Sequence, residues 1–133
     1  MPTLPPADAS PWLVACLCAA WCRTCGDYRK VMAEAAGAHP GWHFAWVDIE
    51  DHADALDDPD GAAEDIEDFP TLLLVHRGAA HFFGPLLPHP GVLARLLAQA
   101  AGGQLPLATQ PGAQRLARAV AALVEQHPGG LAV

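Results

Sequence analysis

Two cysteines three positions apart, in the stretch Trp21-Cys22-Arg23-Thr24-Cys25, stand between an apolar run that begins at Trp12 and a helical pattern from Asp27 to Ala38. That junction predicts a strand-to-helix turn with both thiols at its mouth. In the first turn of a helix, residues i and i+3 share a face. The two sulfurs then come within reach of a disulfide that can close and open without unfolding the chain. Cys22, at the helix N-terminus, would feel the positive end of the helix dipole and unpaired backbone N–H groups, which favour the nucleophilic thiolate.

The other two cysteines, Cys16 and Cys18, lie within the same ten residues. A secreted disulfide framework would spread its cysteines to tie distant segments together. The run Trp12 to Ala20 imitates the apolar centre of a signal peptide. However, Met1 to Ser10 has no Lys or Arg, and cleavage after Ala20 would remove the strand that positions the cysteines. No run reaches the ~18 apolar residues of a membrane span, so the expected location is the cytoplasm. A formal charge of -8 with only seven scattered Lys and Arg excludes nucleic acid as the expected partner, since nothing is clustered to neutralise phosphate.

In chain order, residues 1–11 are Pro-rich and predict a loose arm. Trp12 to Ala19 reads as a buried strand, apolar on both faces. Tyr28, Val31, Met32 and Ala35 form the stripe of an amphipathic helix stopped by Gly37 and His39-Pro40-Gly41. Trp42 to Ile49 is a second buried strand, parallel to the first through the helical crossover. Eleven of the fifteen acids then fall between Asp48 and Asp68, with a short helix expected near Ala62 to Glu67. Leu72 to His76 and Ala80 to Gly84 read as a hairpin turning at Arg77-Gly78-Ala79. Pro90 opens a helix with the stripe Leu93, Leu96, Leu97 and Ala100, ended by Gly102-Gly103. A last helix, opened by Pro111 and carrying Leu116, Val120, Leu123 and Val124, is one more than the sheet layout requires. It is either an extra cover on the domain or a docking helix. The layout predicts an α/β fold, a mixed sheet with helices on both faces.

On these residues the sequence resembles the thioredoxin-like family. Trp21-Cys22-Arg23-Thr24-Cys25 is similar to the family's Trp-Cys-x-x-Cys motif, and Phe69-Pro70-Thr71 to its x-Pro-Thr segment, in which the proline is cis. Thioredoxin itself is the best-known bearer of such a motif, and the pKa of its Cys-x-x-Cys thiol is lowered. The resemblance spans about residues 12–101 and implies a minimal thioredoxin fold. That fold is a mixed four-stranded sheet lacking the family's N-terminal strand and helix, with residues 102–133 as a C-terminal helical extension. It also implies that Pro70 faces the cysteines, that Trp21, Arg23, Thr24, Phe69 and Pro70 shape a substrate groove, and that the Phe69 backbone pairs with a bound polypeptide as an added strand.

The departures matter as well. Many thioredoxins carry a buried Asp six residues before the first Cys and a Lys on the next strand, which help to deprotonate the second thiol. By resemblance those positions are Cys16 and Trp46 here, so Cys25 lacks the usual base. Arg23 and Thr24 replace the small residue and the proline of thioredoxin's own motif. A cation at 23 would favour the Cys22 thiolate and a more oxidising disulfide, unless its side chain is simply solvated.

Cys16 and Cys18 share one face of their strand by period-two alternation. They read as small core hydrophobes, as an auxiliary redox pair, or as part of a four-thiolate metal site with Cys22 and Cys25. Metal is disfavoured, because cysteines two apart on a strand do not make the usual knuckle. The acidic stretch reads as a solvated loop or as a rim that selects basic partners. From Asp48 to Asp60 it lacks the Gly and Glu of a calcium loop.

The expected activity is thiol-disulfide exchange with protein disulfides or dithiols through Cys22 and Cys25. It needs no metal or organic cofactor, and an unidentified reductase or other donor would supply electrons. The alternative is a binding module or assembly chaperone on the same fold, with incidental thiols.

Overall fold

The computed structural model describes residues 12–18, 23–39, 41–48, 71–85, 89–110 and 112–126, apart from the side chains of residues 23–25 and 90. Four strands, β1 (Trp12–Cys18), β2 (His43–Asp48), β3 (Thr71–His76) and β4 (Ala79–Pro85), form one sheet in the order β2-β1-β3-β4. β1 runs parallel to β2 and antiparallel to β3, and β3 is antiparallel to β4. The helices are α1 (Arg23–Ala38), α2 (Pro90–Ala101) and α3 (Ala113–Gln126).

Strand alternation sorts the apolar residues into two layers. Val14, Cys16 and Cys18 of β1, with Leu72 and Leu74 of β3, face Tyr28 and Met32 of α1 and Leu93, Leu97 and Ala100 of α2. Ala15, Leu17, Val47, Leu73 and Val75 face Leu116, Ala117, Val120 and Leu123 of α3 on the other side. Every residue of β3 is buried, as a central strand covered on both faces must be. The C-terminal helix is therefore not surplus to the sheet. Among the described residues, it is what keeps water from this second face. Each fully buried leucine it covers is worth about 1.5–3 kcal/mol over exposure.

Turn chemistry fixes the hairpin. Arg77 (φ 55°) and Gly78 (φ 79°) both have positive φ, the requirement of the two-residue type I′ turn whose twist matches its flanking strands. One register shift interrupts β4, where Leu74 pairs with Phe82 and Val75 with Ala80, leaving His81 as the extra residue. β4 is then tied by the segment before α3 and by the first turn of α3. Ala108 N–H donates to Ala80 O at 2.9 Å. The Gln114 amide donates to Ala80 O (3.0 Å) and Ala108 O (3.1 Å), while its carbonyl accepts from Ala80 N–H at 2.7 Å. Gln110 donates to Phe83 O, and His81 Nδ1–H to Leu105 O at 2.9 Å.

The start of β1 is sealed by aromatic packing. Trp12 stacks on His76 (4.5 Å between centroids, 9° between planes) and meets His81 edge-on at 5.2 Å. Trp42 lies 6.0 Å from Trp12 and stacks on His39.

Candidate redox site

The segments that carry the candidate cysteines and Pro70 join the sheet at the opposite end of β1. Leu17 pairs with Thr71, and Cys18 with Asp48. The chain leaving β1 toward Trp21 and Cys22 and the chain entering β3 from Phe69 and Pro70 therefore meet the sheet side by side. The acidic stretch leaves β2 at the same end. α1 takes up the chain at Arg23, so Arg23, Thr24 and Cys25 form its first turn. The helix begins five residues before its apolar stripe, which starts at Tyr28, because that turn has no apolar periodicity to mark it.

Trp21, Cys22, Phe69, Pro70, most of the acidic stretch and the expected short helix at 62–67 lie outside the described residues, as do the side chains of Arg23, Thr24 and Cys25. What is described is the end of β1 and the face of α1 that covers it. Cys16 and Cys18 are wholly buried on the face that α1 covers, and their sulfurs stand 3.2 Å apart. Cys18 is a disulfide cysteine. At 3.2 Å the Cys16 sulfur is in contact with that of Cys18 and beyond the ~2.0 Å of an S–S bond. In the parallel register Cys16 sits directly beside Trp46. The two positions where the resemblance expects a carboxylate and an ammonium are thus neighbours carrying a thiol and an indole. Arg29 reaches over that indole, its guanidinium carbon 5.4 Å from the ring centroid, a cation–π contact worth about 0.5–1 kcal/mol at an exposed site.

Tyr28 of α1 packs in the same cluster. It is 1% exposed, and its hydroxyl has no hydrogen-bond partner among the described residues. Burial pushes its phenol well above the ordinary tyrosine range, and the nearby Cys16 pushes it further. Sequence reasoning placed Tyr28 only in the core stripe of α1. The available signal was its position three residues after Cys25, on the helix face shared with that cysteine.

Among the described residues there is no group of three or more His, Cys, Asp or Glu side chains able to hold a metal ion, and no helix long and apolar enough to cross a membrane. An apolar hollow of about 200 Å³ between α1 and α2, lined by Val31, Ala35, Leu93 and Leu97, lies along the second half of α1.

A four-stranded mixed sheet in this order, with a helix following the first parallel strand and helices on both faces, defines a truncated thioredoxin fold. Solved structures agree. The germline-specific thioredoxin Deadhead of Drosophila melanogaster is similar with a TM-score of 0.56 and 13% identity, over 70% of this chain and 84% of that one. Mitochondrial thioredoxin 3 of Saccharomyces cerevisiae is similar with a TM-score of 0.56 and 18% identity, over 69% and 81%. The oxidised thioredoxin of Plasmodium falciparum gives 0.56 and 18%, over 71% and 85%. At these identities the likeness is one of fold. No protein-family model matches the chain, and no curated protein does.

Proposed function

We propose that the chain is a thiol-disulfide oxidoreductase acting on protein disulfides or dithiols, with Cys22 as the attacking thiolate and Cys25 as the resolving thiol. The observation that carries this reading is the pairing of Leu17 with Thr71. It sets the strand ends that lead to Cys22 and to Pro70 next to each other, as a groove built from both segments requires. In the cycle, Cys22 S⁻ attacks one sulfur of the substrate disulfide and the other sulfur leaves as a thiol. Cys25 then attacks Cys22 in the mixed disulfide, releasing reduced substrate and leaving Cys22–Cys25 oxidised; each step can run in reverse.

Position 22 immediately precedes the first turn of α1, where the helix dipole favours a thiolate. Trp21, Arg23, Thr24, Phe69 and Pro70 would line the groove, with the Phe69 backbone pairing to the substrate as an added strand. The cycle draws on no cofactor. An external reductant, such as a reductase, returns the enzyme to its dithiol form in the reducing cytoplasm. With a thiol at position 16 in place of a carboxylate, proton removal from Cys25 falls to solvent.

The test is Cys22→Ser in an assay of dithiol-driven reduction of a protein disulfide. Turnover is expected to fall to the rate of the dithiol alone. Full retention would refute the reading and point to a binding module with incidental thiols.

A further inference from the structure

The two margins of the sheet are finished differently. β4 is interrupted by the extra residue His81, and its Ala80 and Phe83 groups are bonded to Ala108, Gln110 and Gln114. β2 has one strand neighbour, β1, in an unbroken register. Among the described residues, no backbone hydrogen bond from another segment reaches residues 43–47 on the side away from β1. Outer strands are ordinarily guarded by Lys, Pro or a bulge, and β2 has none of these. Its centre is Phe44-Ala45-Trp46-Val47, mostly aromatic or β-branched residues that favour strand pairing.

Both faces of β2 are already packed. Phe44 and Trp46 belong to the layer under α1, and Ala45 and Val47 to the layer under α3. A partner at this margin therefore pairs with the backbone as an added strand. In an antiparallel pair, residues directly opposite point to the same face. Two copies related by a twofold axis perpendicular to the sheet must then place that axis on a residue, not between two. Two such registers pair most of β2, over residues 43–47 or 44–48. An axis at Trp46 sets Phe44 opposite Asp48, a carboxylate against an aromatic ring. An axis at Ala45 sets Phe44 opposite Trp46 twice on one face and His43 opposite Val47 twice on the other, with the small Ala45 opposite itself. Aromatic cross-strand pairs are favoured, and this register opposes no carboxylate to an apolar residue.

The helix beside the strand leaves room for a second copy. Arg29 reaches over Trp46, so Ala33 and Gly37, four and eight residues on, follow the same side of α1. Both are exposed, and Gly37 has open space around it, as close approach of two helices requires. Charge favours the antiparallel sense. Each copy carries a formal charge of -8, with eleven acids between Asp48 and Asp68. Antiparallel strands send the two acidic stretches off opposite ends of the pair, whereas parallel strands would set them together. A second copy also brings a strand already held in place by β1, with little ordering entropy left to lose.

We propose that two copies of this chain associate through β2, antiparallel about a twofold axis at Ala45, into one sheet of eight strands, four from each copy. The segments that carry the candidate cysteines join the sheet at the C-terminal end of β1, and so enter at opposite ends of the doubled sheet. The interface is isologous and closes on itself, because the β4 margins are occupied. A short strand edge buries little area, so the dimer is a weak one that forms at high concentration.

The experiment is sedimentation equilibrium of the full chain from micromolar to millimolar concentration, in excess dithiothreitol to remove disulfide-linked species. A reversible monomer–dimer equilibrium is expected, tightening with added salt as the like charges are screened. A chain that stays monomeric at millimolar concentration, or one that assembles beyond the dimer, overturns the proposal. Amide exchange on the same samples locates the contact. Alternate amides within residues 43–47 should slow as concentration rises, while those of β4 stay unchanged. A dimer that leaves residues 43–47 unprotected overturns it as well.

Trp46→Lys sets an ammonium opposite Phe44 and should weaken association about tenfold or more. If that variant does not fold, His43→Glu tests the same register from an exposed position. It sets a carboxylate opposite Val47 at two equivalent places and should weaken the dimer by about tenfold. Wild-type association in either folded variant refutes the interface.

Discussion

Replacing Tyr28 by Phe removes one oxygen from the interior and leaves the ring in place. A buried hydroxyl without a partner costs about 1–3 kcal/mol of desolvation. The small void left by the oxygen returns part of that, so Tyr28→Phe should stabilise the reduced protein by about 1 kcal/mol. For a chain of this size that corresponds to a rise of about 4 °C in Tm.

The same substitution has a pH signature whose sign is fixed. The phenol's pKa is raised in the fold, so above the ordinary tyrosine value of about 10 the unfolded chain releases a proton that the folded chain keeps. The stability contributed by the neutral phenol is complete below pH ~10 and is lost as pH rises from there toward the folded value. Between pH ~10 and ~11 the wild type should therefore lose about 1 kcal/mol relative to Tyr28→Phe.

Urea unfolding of both proteins at neutral pH and across that alkaline window measures both effects. Tyr28 is the only tyrosine in the chain, so the tyrosinate absorbance of the folded wild type reads its titration directly. A phenol that titrates at the ordinary value in the folded state, or a Phe variant less stable by 1 kcal/mol or more at neutral pH, would refute the buried, unpartnered hydroxyl.

Substitutions at two other positions test the frame that carries the site. Gln114→Leu should cost about 2–3 kcal/mol in chemical denaturation, because it strands the buried N–H of Ala80 and removes two donated bonds. Gln114→Glu should cost nearly as much, since a carboxylate cannot donate to the Ala80 and Ala108 carbonyls. Arg77→Gly should raise stability by up to about 1 kcal/mol, by relieving a side chain held at φ 55°. A loss of stability there would mean that the Arg77 side chain contributes more than its backbone strain.

The sheet was legible in the sequence because its signals are local. The continuous apolar run from Trp12 marked β1, Arg77-Gly78 marked the hairpin, and the stripe of Leu93, Leu96 and Leu97 marked α2. The start of α1 was less so. Arg23 to Gly26 carries no apolar stripe, and only the spacing of Cys22 and Cys25 argued that the helix begins there. The place of α3 was not legible, since its stripe says that it buries one face but not against what. The second face of β1 and β3, carrying Ala15, Leu17, Leu73 and Val75, supplies the answer only once the strands are assembled. Of the candidate site, period-two alternation put Cys16 and Cys18 on one side of their strand. Their contact and the isolation of the Tyr28 hydroxyl depend on how α1 settles over β1, which no short sequence window encodes. The extra residue at His81 is likewise a property of two strands in register.

The bonds from residues 105–114 to β4 bear on how this sheet can grow. An outermost strand ordinarily offers a row of amides and carbonyls on which another chain can crystallise as a further strand. On β4 the Ala80 and Phe83 carbonyls and the Ala80 amide are already occupied by groups of the same polypeptide. Recruitment of foreign strands is thereby steered away from that margin and toward β2, the other outer strand among those described.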